Sequence, residues 1–200
     1  MRDILVYIVL TLLLVNCHQN STLSLSDKEH AQIIGIQPFG EFNAHDIPVV
    51  INEISIFFRK KVIILNPKPI PERWLDNYVK LYCADSLISE LSGLQSGNIV
   101  EVIGLTHKPL FTIKDIPPFK PYYDEYIFGL AHEPGNACII SDYKISTIDT
   151  TLYNLRLRNA IIHEVGHNMG LSHCQNAECL MSTKNRGNDY CKLCRKKLTK

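Results

Sequence analysis

Net charge is almost absent from this chain: 21 Lys and Arg stand against 20 Asp and Glu, a formal +1. No bulk positive field argues for nucleic acid, and no nucleic-acid partner is expected. Low-complexity tracts and internal repeats are also missing, which argues against a repeat architecture. A membrane-spanning run is lacking too. The N-terminal apolar stretch 4–15, broken only by Thr11, is twelve residues long, whereas crossing a bilayer takes about 20. With Arg2 ahead of it, this stretch has the length of a signal-peptide core. The rest of the chain is ordinary, with 46% hydrophobic and 20% charged residues, enough for one domain with a real core.

Leu14-Val15-Asn16-Cys17 closes the apolar run and resembles a bacterial lipobox, in which the cysteine becomes the lipidated first residue. Asn16 departs from the small residues typical at that place. Plain cleavage with secretion, or an uncleaved anchor, are the alternatives. The expected organisation is a signal peptide over 1–16, a polar Ser-rich tether over 17–27 and one domain over 28–200. The expected location is outside the cytoplasm, anchored to a bacterial membrane through lipid on Cys17 and facing the periplasm or the surface. Basic residues collect at the end (Lys192, Arg195, Lys196, Lys197, Lys200) and read as a solvated tail.

The chemistry concentrates between His163 and His173. His163 and His167 are four apart, so on a helix they share a face and can bind one Zn²⁺. Glu164 follows the first of them and can serve as general base toward a water. Gly170 permits a positive φ, so the chain can leave the helix and bring His173 round as third ligand. Three protein ligands leave one position open, the catalytic pattern. The bland alternative, three unrelated histidines, requires five fixed positions to coincide.

Cys174 follows immediately, then Cys179, Cys191 and Cys194. Four thiolates at this spacing can close a tetrahedral structural zinc site; two disulfides are the alternative in an exported chain. Short loops within each cysteine pair favour zinc. Two zinc ions per chain are thus expected, one catalytic and one structural. Cys83 and Cys138 have no motif partner and read as core residues or as a disulfide.

Together these residues resemble the archaemetzincin family of metalloproteases. That family carries HExxHxxGxxH, then a Cys, four residues, Cys-x-Met, and later CxxC. Here those are His163 to His173, Cys174, Cys179-Leu180-Met181 and Cys191-Lys192-Leu193-Cys194. Tyr126 to Ala131 and Gly135 to Ser141 look like its paired strands before the zinc helix, and Ile36 to Gly40 like its first strand and turn. The resemblance spans roughly 30–195 and implies that Met181 is the Met-turn residue, an apolar floor under the catalytic zinc. One departure is visible: nine residues separate Met181 from Cys191, where the family has an insert of roughly 17.

Periodicity supplies the frame. Ile33–Ile36 and Val62–Leu65 read as strands. A helix capped by Asp46, with Pro48 in its first turn, carries Val50, Ile51, Ile54, Phe57 and Phe58 on one face. A second helix carries Ala84, Leu87, Ile88, Leu91 and Leu94, and Ile99–Leu105 reads as a strand. A Pro-bearing loop follows through Pro117, Pro118 and Pro121. Tyr126–Ala131 and Ala137–Ser141 read as adjacent strands, and the zinc helix as about Leu152 to Met169. The fold class is α+β: a twisted mixed sheet with packed helices, the zincin form that the resemblance implies, ending in a small zinc-stapled subdomain. The zincin edge strand binds extended peptide. It is assigned to Ala137–Ser141, unless that strand is a buried member of the sheet. Tyr190 reads as an ordinary aromatic beside the cysteines, with catalytic assistance as the alternative. His30, His45 and His107 read as surface residues, and His132-Glu133, stopped by Pro134, as no second zinc motif.

The function read from these features is zinc-dependent hydrolysis of peptide bonds in a peptide or protein substrate, with Glu164 as base, by a monomer. The alternative is a zinc-stabilised surface lipoprotein that binds a partner and hydrolyses weakly or not at all.

Overall fold

Apolar residues on both sides of the strands call for cover on both faces of the sheet. A computed structural model describes residues 32–114, 122–184 and 187–199. The expected signal peptide, Cys17, the tether and His30 lie outside the described residues. The elements run β1 (Ile33–Pro38), α1 (Pro48–Phe58), β2 (Lys61–Ile64), β3 (Leu75–Asp76), β4 (Leu81–Cys83) and α2 (Ala84–Ser92). They continue as β5 (Ile99–Thr106), β6 (Leu110–Lys114), β7 (Tyr122–Ile127), β8 (Gly129–Ala131), β9 (Ala137–Ser141), α3 (Thr150–Asn168) and α4 (Lys192–Leu198).

The main sheet has the order β2-β1-β5-β9-β8. Its first four strands are parallel and β8 is antiparallel to β9. Side chains alternate between faces with period two. Ile34, Ile36, Ile103, Leu105, Cys138 and Ile140 pack on α1 and α3, through Val50 and Ile54 of the first helix and Leu157, Ile161 and Val165 of the second. Val102, Ala137 and Ile139 face the other way, onto Leu87, Ile88 and Leu91 of α2. Gly104 allows α2 to come this close: a Cβ there would lie 2.6 Å from Leu91 Cδ1. A third apolar cluster, built on Ile162, Leu171, Leu180, Met181 and Tyr190, roots the C-terminal segment on α3.

Several expectations are corrected. Ala137–Ser141 is not the open edge, because β9 lies between β5 and β8 and all five of its residues are buried. The edge strand on that side of the sheet is the three-residue β8, whose residues are half-buried; β2 is the opposite edge. Asp46 does not cap α1. It ends a 3-10 turn capped by Asn43, and Ile47 precedes Pro48 with no side-chain cap. The Pro-bearing loop is shorter than read: β6 pairs antiparallel with β7, and with β3 and β4 they form a second sheet, β3-β4-β6-β7. The basic residues Lys192, Arg195, Lys196 and Lys197 are exposed as read, on α4, which buries Cys194. No described helix is long and apolar enough to cross a membrane.

Candidate metal centre and active site

Helix α3 begins at Asp149, whose carboxylate accepts a hydrogen bond from the Leu152 amide at 3.0 Å. That cap starts the helix two residues before the expected boundary. It ends where Gly170 takes φ 84°. The Gly170 amide donates to the His167 carbonyl at 2.8 Å and the Leu171 amide to the Gly166 carbonyl at 2.9 Å, the paired bonds of a Schellman cap. This reversal carries His173 back over the helix end.

The three histidines converge. One ring nitrogen from each of His163, His167 and His173 falls within 4.8 Å of the others, and Nε2 of His163 lies 3.2 Å from Nε2 of His167. Two ligands of a tetrahedral zinc stand about 3.3 Å apart at ordinary Zn–N distances, so the pair is already at ligand spacing. Nδ1 of His163, 2.8 Å from the Leu180 carbonyl, must carry a proton to donate to it. Its Nε2 is thereby left as the electron-pair donor, turned toward the other two rings. The donor set and its second-sphere bonds suit Zn²⁺.

A residue passed over in the sequence completes this arrangement. Glu133 places its carboxylate 3.5 Å from Nδ1 of His167 and accepts a hydrogen bond from the Ser172 hydroxyl. It thus braces the second histidine and the segment leading to the third. Its only sequence signal was its neighbour His132, which is exposed.

Glu164 is 7% exposed and lines the same cavity as the histidines, about 510 Å³ in volume. β8 runs along that cavity. Gly129 on β8 sits against the carboxylate: a Cβ there would come within 2.8 Å of Glu164 Cγ and 3.0 Å of the Ile139 carbonyl. Beneath the helix, Met181 is fully buried, and Gly166 lets its sulfur approach the helix backbone. Tyr190 is a core brace: its buried hydroxyl donates to the Ile162 carbonyl at 2.6 Å, and burial raises its ionisation well above the ordinary phenol range.

The four cysteines form a second group, with all sulfurs within 4.8 Å of one another. Cys174 and Cys191 stand 3.8 Å apart, Cys179 and Cys194 3.7 Å. Tetrahedral zinc with ordinary Zn–S bonds sets sulfur pairs at about 3.8 Å. All six described cysteines are thiols rather than disulfides, including Cys83 and the buried Cys138. The amide of Cys194 foremost lowers the Cys191 thiol to about 7, whereas burial and then the neighbouring thiols raise Cys194. Four thiolates cannot share so small a space without a cation, so this donor set also fits a soft divalent ion.

Of the other histidines, His45 is exposed as expected. His107 is half-exposed but paired: its Nδ1 lies 2.9 Å from the buried Asp142, which also accepts the Tyr153 hydroxyl at 2.8 Å.

The model of peptidase family M54 matches residues 49–200. An archaemetzincin of Halobacterium salinarum is 25% identical over 158 residues, covering 74% of this chain and 85% of that protein. The archaemetzincin of Archaeoglobus fulgidus is 25% identical over 172 residues, covering 82% and 98%. Its crystal structure, a complex with malonate, aligns with TM-score 0.68 at 23% identity over 83% of this chain and 99% of that one. The Methanopyrus kandleri archaemetzincin structure aligns with TM-score 0.69 at 23% identity over 84% and 94%. Nothing in these likenesses favours the binding-module alternative.

Proposed function

The chain belongs to peptidase family M54, the archaemetzincins, and is a zinc metallopeptidase acting on peptide or protein substrates; we propose that His163, His167 and His173 hold its catalytic zinc and that Glu164 is the general base. The observation that carries this reading is the convergence of three imidazole nitrogens at the cavity that Glu164 also lines. A zinc ion held there would polarise the scissile carbonyl and acidify the attacking water. Glu164 takes the proton of that water and passes it to the departing amide nitrogen. Packing against Gly129 holds the carboxylate in place for both transfers. The open edge of β8, in the same cavity, supplies main-chain groups to which an extended peptide can add as a further strand.

Cys174, Cys179, Cys191 and Cys194 hold a second, structural zinc that fixes the segment after His173, for two ions per chain. Met181 serves as the apolar floor below the histidines. Export with lipid on Cys17, and a monomeric state, rest on the sequence; intact mass of the mature N-terminus and sedimentation of the purified chain test them.

The direct test is zinc content and peptide cleavage by the chain and by Glu164→Ala. About two zinc per chain in both proteins, with cleavage lost only in the variant, is the expected result. Cleavage that persists in Glu164→Ala would remove it as the base.

A further inference from the structure

A second cavity of about 630 Å³ adjoins the catalytic one, and the two share Phe128 and Thr183 in their walls. Its floor is α3, one turn and more before His163, with Arg156 and Asn159 facing in. Lys144 and Lys184 also line it. Three cations and no Asp or Glu thus line this space among the described residues. The catalytic cavity is lined by more carboxylates than cations, with Asp124, Glu125, Glu133 and Glu164 against Lys114.

Cations in a folded protein are commonly neutralised by a neighbouring carboxylate, as Arg158 is by Glu53 at 3.3 Å. Neither Arg156, Lys144 nor Lys184 has such a partner among the described residues. Lys144 is nevertheless held in place: its ammonium lies 5.0 Å over the Tyr126 ring, which stacks on Tyr143 at 6.0 Å. Tyr126 takes φ 55° as the extra residue of a β-bulge, between the pairs Leu110↔Ile127 and Phe111↔Glu125. A bulge in this position re-aims one side chain at the cost of a ladder bond. Here it directs the ring over which the Lys144 ammonium lies.

We propose that this cationic pocket is a substrate subsite that takes a carboxylate of the peptide being cleaved, supplied by an acidic side chain near the scissile bond or by the substrate's C-terminus. The proposal rests on the peptidase reading above and extends it to substrate class. Arg156 supplies a planar fork suited to two carboxylate oxygens, and the two lysines supply compact charges beside it. Phe128, Ile145 and Leu155 add apolar wall beside the three exposed cations.

The test compares cleavage of a peptide series by the zinc-loaded full chain, with Glu, Gln or Lys at each position flanking the cleaved bond. Each peptide carries either a free or an amidated C-terminus. A preference of about tenfold in kcat/KM for Glu over Gln at one position is expected if side chains are read. The same preference for the free over the amidated terminus is expected if the chain end is read. Arg156→Glu combined with Lys184→Glu should reverse the preference toward Lys or toward the amide. Equal rates for all peptides, or a preference that survives the double reversal, overturn the subsite. Binding of the fluorescent Glu-bearing and Gln-bearing peptides to Glu164→Ala keeps this separate from catalysis. A tighter Glu peptide whose advantage fades with salt supports the pocket even if no peptide is cleaved. Cleavage without charge preference leaves the peptidase reading standing and removes only the subsite.

Discussion

The carboxylate of Glu133, in the turn between β8 and β9, lies 3.5 Å from Nδ1 of His167 on α3. Its other oxygen is bound by Ser172, next to His173. One side chain therefore orients two of the three proposed ligands. Glu133→Gln keeps the shape and removes the charge. Zinc affinity at the histidine site should fall about 10–100-fold, read by competition with a chromophoric chelator. An unchanged affinity would make the contact incidental.

Gly129→Ala tests how closely β8 and the proposed base, Glu164, are packed. The added methyl would meet Glu164 Cγ at 2.8 Å and the Ile139 carbonyl at 3.0 Å, so either the edge strand or the carboxylate must move. Overpacking of this kind costs about 1–3 kcal/mol. A shift of the base by a fraction of an ångström should lower kcat by about tenfold or more while zinc content holds. Full activity together with a wild-type Tm would show that the strand yields freely.

Cys174→Ser removes one member of the four-sulfur group, which sits directly after His173. The expected result is loss of about one zinc per chain, because the remaining three thiolates bind far more weakly. Activity should fall with it, since Cys174 directly follows His173 and the sulfur group fixes that segment. Retention of both ions would move the second site elsewhere.

Glu101 predicts a pH effect on stability. It is buried on β5, and burial raises its carboxyl to about 8 from an ordinary 4.5, only partly opposed by the hydrogen bond from Asn168 Nδ2 at 2.5 Å. The folded state thus binds this proton more tightly than the unfolded one. Its contribution to stability is fully present below about pH 4.5 and is lost as pH rises through about 8. Glu101→Gln keeps an acceptor for Asn168 and cannot ionise. Urea unfolding at pH 5, 7 and 9 should show the variant gaining on the wild type as pH rises, by on the order of a few kcal/mol. Parallel pH profiles would mean that Glu101 is ionised at no cost.

The parts of the site that were legible in the chain are those made by neighbours in sequence. Helix period alone places His163 and His167 on one face, and a positive-φ Gly170 is a local requirement of the reversal that returns His173. The cysteine spacings carried their own chemistry in the same way, because short loops limit where their ends can go. Helices α1, α2 and α3 and the parallel strands of the main sheet could be read because their apolar residues repeat with the period of the element, whereas α4 was read only as a basic tail.

What only the tertiary structure decided are relations between segments that the chain holds apart. Strand neighbours are chosen by packing and hydrogen bonding across the sheet. A run as apolar as Ala137–Ser141 therefore could be read as a strand but not as an inner one, and the open edge fell to Gly129–Ala131. Leu110–Lys114 was hidden by the prolines after it, which mark a loop without marking where pairing ends. Glu133 beside His167, and Arg156 in one cavity with Lys144 and Lys184, are charged residues of unremarkable spacing. Local periodicity is set by covalent geometry and can be read along the chain, whereas proximity across a core arises only when burial brings distant faces together.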